Sequence, residues 1–272
     1  MRKAPGYGSD VIVFDLEDAV APERKDEARE SVRSILTDPS FDPDCEVCVR
    51  VNPVDSVAKT DVVAVLDGEE NPRLDSVMLP KVESADDVDT VLAHLEEYGR
   101  SVPILSLVES ARGVLEADEI AAADGTDALV FGAEDLSADI GATRTAEGLE
   151  VLYARERIVL AAAANGCAAI DTVFTDFEDL SGLVEDTEFA IGLGYDGKMA
   201  IHPGQVEPIN EAFTPVPEKL EWARAVMAKK RDADDSGRGV FEVEGQMIDA
   251  PLIAQAKRIL ERASAAGEID SW

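Results

Sequence analysis

The chain has 272 residues, 57 of them acidic and 25 basic, giving a formal net charge of -32; this length allows one large domain or two modest ones around a sizeable core. Such a charge repels phosphate backbones and anionic lipid, and no run approaches the roughly 18 consecutive apolar residues of a membrane helix, so neither nucleic acid nor membrane is an expected partner. The acids are interleaved with apolar positions along the whole chain and Lys is scarce, 9 against 16 Arg, which reads as a solvated surface adapted to high salt.

The first six residues, Met1-Arg2-Lys3-Ala4-Pro5-Gly6, carry no apolar signal stretch, and three cysteines are too few for a disulfide framework, so the expected location is the cytoplasm. Residues 1–10 read as loop or the tail of a helix. Seven short apolar runs follow as strands, at 11–14, 47–51, 76–79, 103–107, 128–131, 168–172 and 198–201. Between them lie amphipathic helices near 24–36, 57–66, 85–98, 113–123, 147–164 and 176–191. Alternation of this kind, without a Gly-rich turn after the first strand, predicts an α/β fold of the (β/α)8 TIM barrel type that lacks its first strand. Two further helices, 217–230 and 249–265, flank a polar, hinge-like segment at 231–239 and form a C-terminal helical extension. The expected domains are 1–214, the catalytic barrel, and 215–272, the extension.

Barrel active sites collect at the C-terminal ends of the strands, and here those ends are charged. They read Asp15-Leu16-Glu17-Asp18, Arg50-Val51-Asn52, Pro80-Lys81-Val82-Glu83, Glu109-Ser110, Glu134-Asp135 and Ile201-His202-Pro203. Carboxylates converging on one mouth need a cation, and oxygen-only ligation points to Mg²⁺ or Mn²⁺. Glu109 and Asp135, on consecutive strands, are the candidate ligands; the alternative is that they cap helices or form ion pairs. Arg50 offers a planar fork for a carboxylate or carbonyl oxygen, or else only balances the acids. His202 reads equally as a ligand contact or a structural hydrogen bonder, while His94 reads as surface. Asp249 heads the last helix, where an N-cap is the plainer explanation. The Cys45-x-x-Cys48 pair reads as buried small residues rather than half a metal motif, and the Gly-rich stretch 192–197 reads as a connecting loop.

At these residues the chain resembles the citrate lyase beta-subunit and malyl-CoA lyase family. The matching stretches are Val13-Phe-Asp-Leu-Glu-Asp-Ala-Val20, Arg50-Val-Asn52, Met78-Leu-Pro-Lys-Val-Glu83, Ser106-Leu-Val-Glu-Ser110, Phe131-Gly-Ala-Glu-Asp-Leu136, Lys198-Met-Ala-Ile-His-Pro203 and Gly245-Gln-Met-Ile-Asp-Ala-Pro251, in family order along nearly the whole chain. The resemblance implies a barrel enzyme with a C-terminal extension, a homotrimer or dimer of trimers, that makes or breaks a carbon–carbon bond beside a CoA or acyl-carrier thioester with Mg²⁺. Its partners would be an acyl-CoA and a small oxoacid. Carried over residue by residue, it gives Glu109 and Asp135 to the metal and Arg50 to the oxoacid. Glu17 and Asp18 would border the metal site, holding water there or orienting Arg50, and Ile201 and His202 would border the thioester. It lifts Asp249 above capping, to an acid/base that serves a neighbouring subunit's site at the acyl α-carbon.

The implied reaction is reversible cleavage of malyl-CoA, β-methylmalyl-CoA or citramalyl-CoA to glyoxylate or pyruvate plus acetyl-CoA or propionyl-CoA. Citryl cleavage as a citrate lyase beta subunit, or thioester hydrolysis of malyl-CoA, are the alternatives. Members of the family usually begin with a strand and turn of the type Arg-Ser-x-Leu-Phe-x-Pro-Gly, absent here; a start codon placed downstream of the true one is the expected reason, the alternative being a barrel without its first strand and part of its CoA-facing mouth.

Overall fold

In a computed structural model the described residues are 1–54, 57–68, 71–235 and 239–270. They divide into two compact units, Met1–Glu207 and Pro208–Trp272.

The first unit is built on a seven-stranded, wholly parallel sheet whose spatial order follows the sequence: β1 (Val11–Asp15), β2 (Glu46–Arg50), β3 (Ser76–Leu79), β4 (Ile104–Val108), β5 (Thr126–Phe131), β6 (Ala168–Asp171) and β7 (Gly197–Lys198). Sequential order with helical crossovers is the plan of a TIM-like α/β barrel, as the alternation predicts. Among the described residues no eighth strand joins β1 to β7. The connecting helices are α1 (Lys25–Leu36), α2 (Ala58–Leu66), α3 (Ala85–Glu97), α4 (Ala111–Leu115), α5 (Ala117–Ala122), α6 (Ala133–Asp139), α7 (Leu152–Asn165) and α8 (Leu180–Leu193).

Strand residues alternate between two apolar layers. One row, including Ile12, Phe14, Val47, Val49, Val77, Leu79, Ile104, Val108, Leu129 and Phe131, packs into the large core shared with the helices. The other, with Cys48, Met78, Leu107 and Val130, forms a smaller cluster on the opposite, inward side. Both layers are apolar, which is why the strands read as unbroken Val/Ile/Leu runs.

Local chemistry sets where the helices begin and end. The predicted helix at 147–164 starts only at Leu152, because Gly148 takes φ +64° in the preceding turn. The one at 176–191 starts at Leu180, behind Asp179, whose carboxylate accepts from the Gly182 N–H at 2.9 Å. Residues 113–123 form two helices, α4 and α5, meeting at Glu116; Ser110 caps the first by accepting from Gly113 N–H at 3.1 Å. The last predicted strand, 198–201, shrinks to Gly197–Lys198. Its continuation is held instead by the fully buried Gln205, whose Oε1 accepts from the N–H of Ile201 (2.9 Å) and His202 (3.2 Å).

Helix α9 (Val206–Phe213) runs from the end of the first unit into the second. The second unit holds α10 (Pro217–Asp235), a two-stranded antiparallel hairpin of β8 (Phe241–Val243) and β9 (Gln246–Ile248), and α11 (Ala250–Ala265). Its own core comprises Ala223, Val226, Val243, Ile248, Ala256, Leu260, Ala263 and Ile269. The hinge read at 231–239 is helix through Asp235, and residues 236–238 lie outside the described residues.

Candidate active site

The inward rows of β1, β2, β4 and β6 end in the polar side chains of Asp15, Arg50, Glu109 and Thr172 at the C-terminal edge of the sheet. Asp15 and Arg50 terminate β1 and β2 in direct register, and Arg50 grips Asp15 through two bonds, Nε to Oδ1 at 2.8 Å and Nη2 to Oδ2 at 2.6 Å. The Asp15 carboxylate also accepts from the N–H of Glu17 (2.8 Å) and Ala19 (3.1 Å), so it braces the loop that follows. Burial pushes the Asp15 carboxyl up, but the Arg50 fork and these N–H donors outweigh it and hold the group below its ordinary value. The same pairing outweighs burial in raising Arg50, which stays a fixed cation.

Glu17 is almost completely buried, 3 % exposed. Its Oε1 accepts from Lys81 Nζ at 2.6 Å, while Oε2 lies 3.2 Å from Arg50 Nη1 but has no aligned hydrogen bond. We take this second contact as Coulombic rather than directional. Burial, only partly countered by Lys81 and Arg50, raises the Glu17 carboxyl.

Glu109 follows β4 and is 5 % exposed. Its Oε1 accepts from the main-chain N–H of Lys81 at 3.0 Å. Its other side presses on Gly132: a Cβ there would lie 2.5 Å from Glu109 Cβ and 2.7 Å from Oε2, so a glycine is needed where the Phe131-Gly132-Ala133-Glu134-Asp135 turn passes over the carboxylate. Burial, then the charges of Asp135 and Glu17, push the Glu109 carboxyl up to about 8. Asp135 lies in the first turn of α6 and is solvent-exposed.

This donor set fits a hard divalent cation. Two carboxylates, one buried and one exposed, with an adjacent buried Glu17, are short of positive charge. A Mg²⁺ ion takes one or two protein carboxylates and keeps the rest of its shell for water and ligand. Among the described residues no group of three or more His, Cys, Asp or Glu is arranged as a metal cage.

The predicted residues therefore fall into three places. Arg50, Glu17, Asp18, Glu109 and Asp135 form one electrostatic group, joined by Lys81, whose Nζ is also 3.9 Å from Asp18 Oδ2. Ile201, 53 % exposed, and His202 lie in the loop after β7, where the His202 ring stacks on Phe177 at 5.3 Å and its Nδ1 accepts from Gly204 N–H at 3.1 Å. Asp249 belongs to the second unit. It is exposed and caps α11, with Leu252 N–H at 3.4 Å.

Lys81 and Asp15 are the site residues that sequence reasoning passed over as individuals, although both sit in charged strand ends. Asp15 was recoverable, since a strand-end acid beside a strand-end Arg in a parallel pair implies a bridge. Lys81 left no such signal.

The HpcH/HpaI aldolase/citrate lyase family model matches residues 1–203. Mitochondrial citramalyl-CoA lyase of Homo sapiens is 38% identical over 98% of this chain and 83% of that protein. Citrate lyase subunit beta of Leuconostoc mesenteroides is 37% identical over 100% of this chain and 91% of its own length. Among solved structures, protein CitE from Mycobacterium tuberculosis, in complex with magnesium, acetoacetate and coenzyme A, superposes with a TM-score of 0.76 at 37% identity, covering 97% of this chain and 95% of that one. No helix among the described residues is long and apolar enough to cross a membrane.

Proposed function

This chain belongs to the HpcH/HpaI aldolase/citrate lyase family, and from that premise we propose that it is a Mg²⁺-dependent carbon–carbon lyase of a hydroxyacyl-CoA. Its substrate is malyl-CoA, β-methylmalyl-CoA or citramalyl-CoA, giving glyoxylate or pyruvate and a short acyl-CoA. The observation that carries the reading is the buried Glu109 carboxylate, under-compensated beside Asp135 and one loop away from the Arg50–Asp15 fork.

Glu109 and Asp135 would hold Mg²⁺, which when bound polarises the hydroxyl and carboxylate oxygens of the hydroxyacid half. Arg50 spends Nε and one Nη2 hydrogen on Asp15, which fixes the plane of its guanidinium. Its remaining N–H groups would then face the oxoacid half, where they stabilise the charge on the hydroxyl oxygen as it loses its proton. Glu17 and Asp18 keep Arg50 and Lys81 in place. As the hydroxyl becomes the oxoacid carbonyl its proton passes to bulk water, and the acyl half departs as a thioester enolate that needs a proton at its α-carbon. Asp249 supplies it from the C-terminal unit of a neighbouring copy in a homotrimer or dimer of trimers. Its carboxylate is exposed and accepts from a helix N–H, and among the described residues no ion pair engages it. Ile201 and His202 border the thioester. Run in reverse, Asp249 takes the α-proton of the acyl-CoA.

The two citramalyl-CoA and citrate lyase relatives are almost equally similar, which favours one second reading, citryl cleavage as a citrate lyase beta subunit. An assay in molar KCl with Mg²⁺, offering malyl-CoA, β-methylmalyl-CoA, citramalyl-CoA and citryl-CoA, and following oxoacid and free thiol separately, tests both. Oxoacid without thiol is the expected result, and the best substrate names the lyase. Thiol without oxoacid overturns it in favour of a thioesterase. Asp249→Asn should keep Mg²⁺ binding and lose turnover.

A further inference from the structure

Among the described residues only two non-glycine residues have positive φ, Lys81 at 54° and Glu244 at 51°. Glu244 has a local reason: with Gly245 (φ 81°) it makes the two-residue turn between β8 and β9, where both central positions need left-handed backbone. Lys81 has none. It follows Pro80 at the end of β3, and Lys has no short polar side chain to stabilise that region. Strain of this kind persists where the surroundings impose it, and it concentrates at functional sites.

What the conformation accomplishes is visible in its contacts. It turns the Lys81 N–H onto Glu109 Oε1 (3.0 Å) while sending Nζ the other way, onto Glu17 Oε1 (2.6 Å). The turn is clamped from behind. Val82 N–H donates to Leu107 O at 3.2 Å, and the Val82 carbonyl lies so close to Gly113 that a Cβ there would sit 2.3 Å from it. One residue thus touches the carboxylate read as a metal ligand and the carboxylate that faces Arg50.

We propose that Lys81 is a positioning residue with two separable roles, its main-chain N–H holding Glu109 and its ammonium holding Glu17 so that Arg50 stays aimed at the oxoacid. This rests on the lyase reading above. By claiming one Glu17 oxygen, the ammonium leaves only the other for Arg50, so Glu17 cannot pull the guanidinium into a second bidentate grip. Without it, both Glu17 oxygens are free to engage Nη1 and the second Nη2 hydrogen, the donors an oxoacid needs.

Titration calorimetry on the full chain separates the roles, using MgCl₂ first and then pyruvate in its presence. Lys81→Gly keeps the left-handed backbone and the N–H but deletes the ammonium; Lys81→Asn tolerates the same φ and checks that any loss is not misfolding. Both should leave Mg²⁺ affinity within about twofold while weakening pyruvate roughly tenfold, the scale of one charge-assisted hydrogen bond. Lys81→Arg should recover most of the loss. In a Glu17→Gln background, Lys81→Gly should cost nothing further, because the ammonium has lost its partner. Unchanged pyruvate binding in Lys81→Gly overturns the inference, as does a full loss that persists beside Glu17→Gln. A wild type that binds Mg²⁺ and pyruvate but performs no carbon–carbon chemistry overturns the lyase reading and leaves this comparison standing; one that binds neither overturns both.

Discussion

Two buried carboxylates stand at the ends of the strands on either side of β5 and have opposite fates. Asp171, the last residue of β6, lies in the outward row and meets Arg155 of α7 through two bonds (2.8 and 2.7 Å) and Lys198 of β7 at 2.6 Å; both cations also bind Asp186 of α8. Two positive and two negative groups close on themselves, and the third Lys198 donor goes to the Thr172 carbonyl at 2.8 Å. Glu109, from the inward row, has a single main-chain N–H and faces other acids. The sheet-to-helix layer therefore buries charge only when it is matched, as desolvation demands. The inward mouth tolerates a deficit, and tolerance of a deficit is what distinguishes a site from a scaffold.

The sharpest way to break this contrast is to neutralise one acid from each group. Glu109→Gln should lower lyase turnover on the order of a thousandfold, because several kcal/mol of charge stabilisation by the cation is lost. Above about pH 8 it should also raise the melting temperature of the metal-free protein, since the charge that burial and the neighbouring acids disfavour is gone. Asp171→Asn should do the reverse. It leaves Arg155 and Lys198 under-paired, costing about 3–5 kcal/mol by denaturant unfolding, with Mg²⁺ affinity of the surviving fold unchanged.

A smaller effect sharpens the geometry. Gly132→Ala should weaken Mg²⁺ by roughly tenfold in calorimetry, because the new methyl would meet Glu109 Cβ at 2.5 Å as well as Oε2 at 2.7 Å, so the whole side chain must shift and not only its end. Smallest is a pH slope. In the metal-free protein the folded state holds the Glu109 proton more tightly than the unfolded chain does. Its contribution to stability is complete below the ordinary carboxylate range and is lost as pH rises through about 8. Melting with EDTA should fall from the ordinary carboxylate range up to about pH 8 and level off above it, Glu109→Gln should flatten that slope, and the gain from added Mg²⁺ should grow over the same range.

The comparison also explains what was legible in the residues themselves. The strands were, because parallel strands buried on both faces are continuous apolar runs. For the same reason the inward and outward rows were not: with both neighbours apolar, nothing in the pattern says that Glu109 faces the mouth and Asp171 the helices. Helix α6, seven residues long, is too short to show a period, and the β8–β9 hairpin hides its Glu244-Gly245 turn in a polar stretch. Lys81 escaped because left-handed backbone is normally signalled by Gly or Asn. The Asp249 assignment depends on a second copy of the chain, which no pattern within one copy can encode.

Asp15 carries one last consequence. Its two oxygens serve four donors, two from Arg50 and two from the main chain of the loop that bears Glu17. A ligand that engages the remaining Arg50 N–H groups holds the guanidinium still, and with it the carboxylate and the loop that the carboxylate braces. The amide hydrogens of Glu17 and Ala19 thus become native reporters of occupancy, their exchange with solvent slowing as an oxoacid binds, with no label attached to the protein.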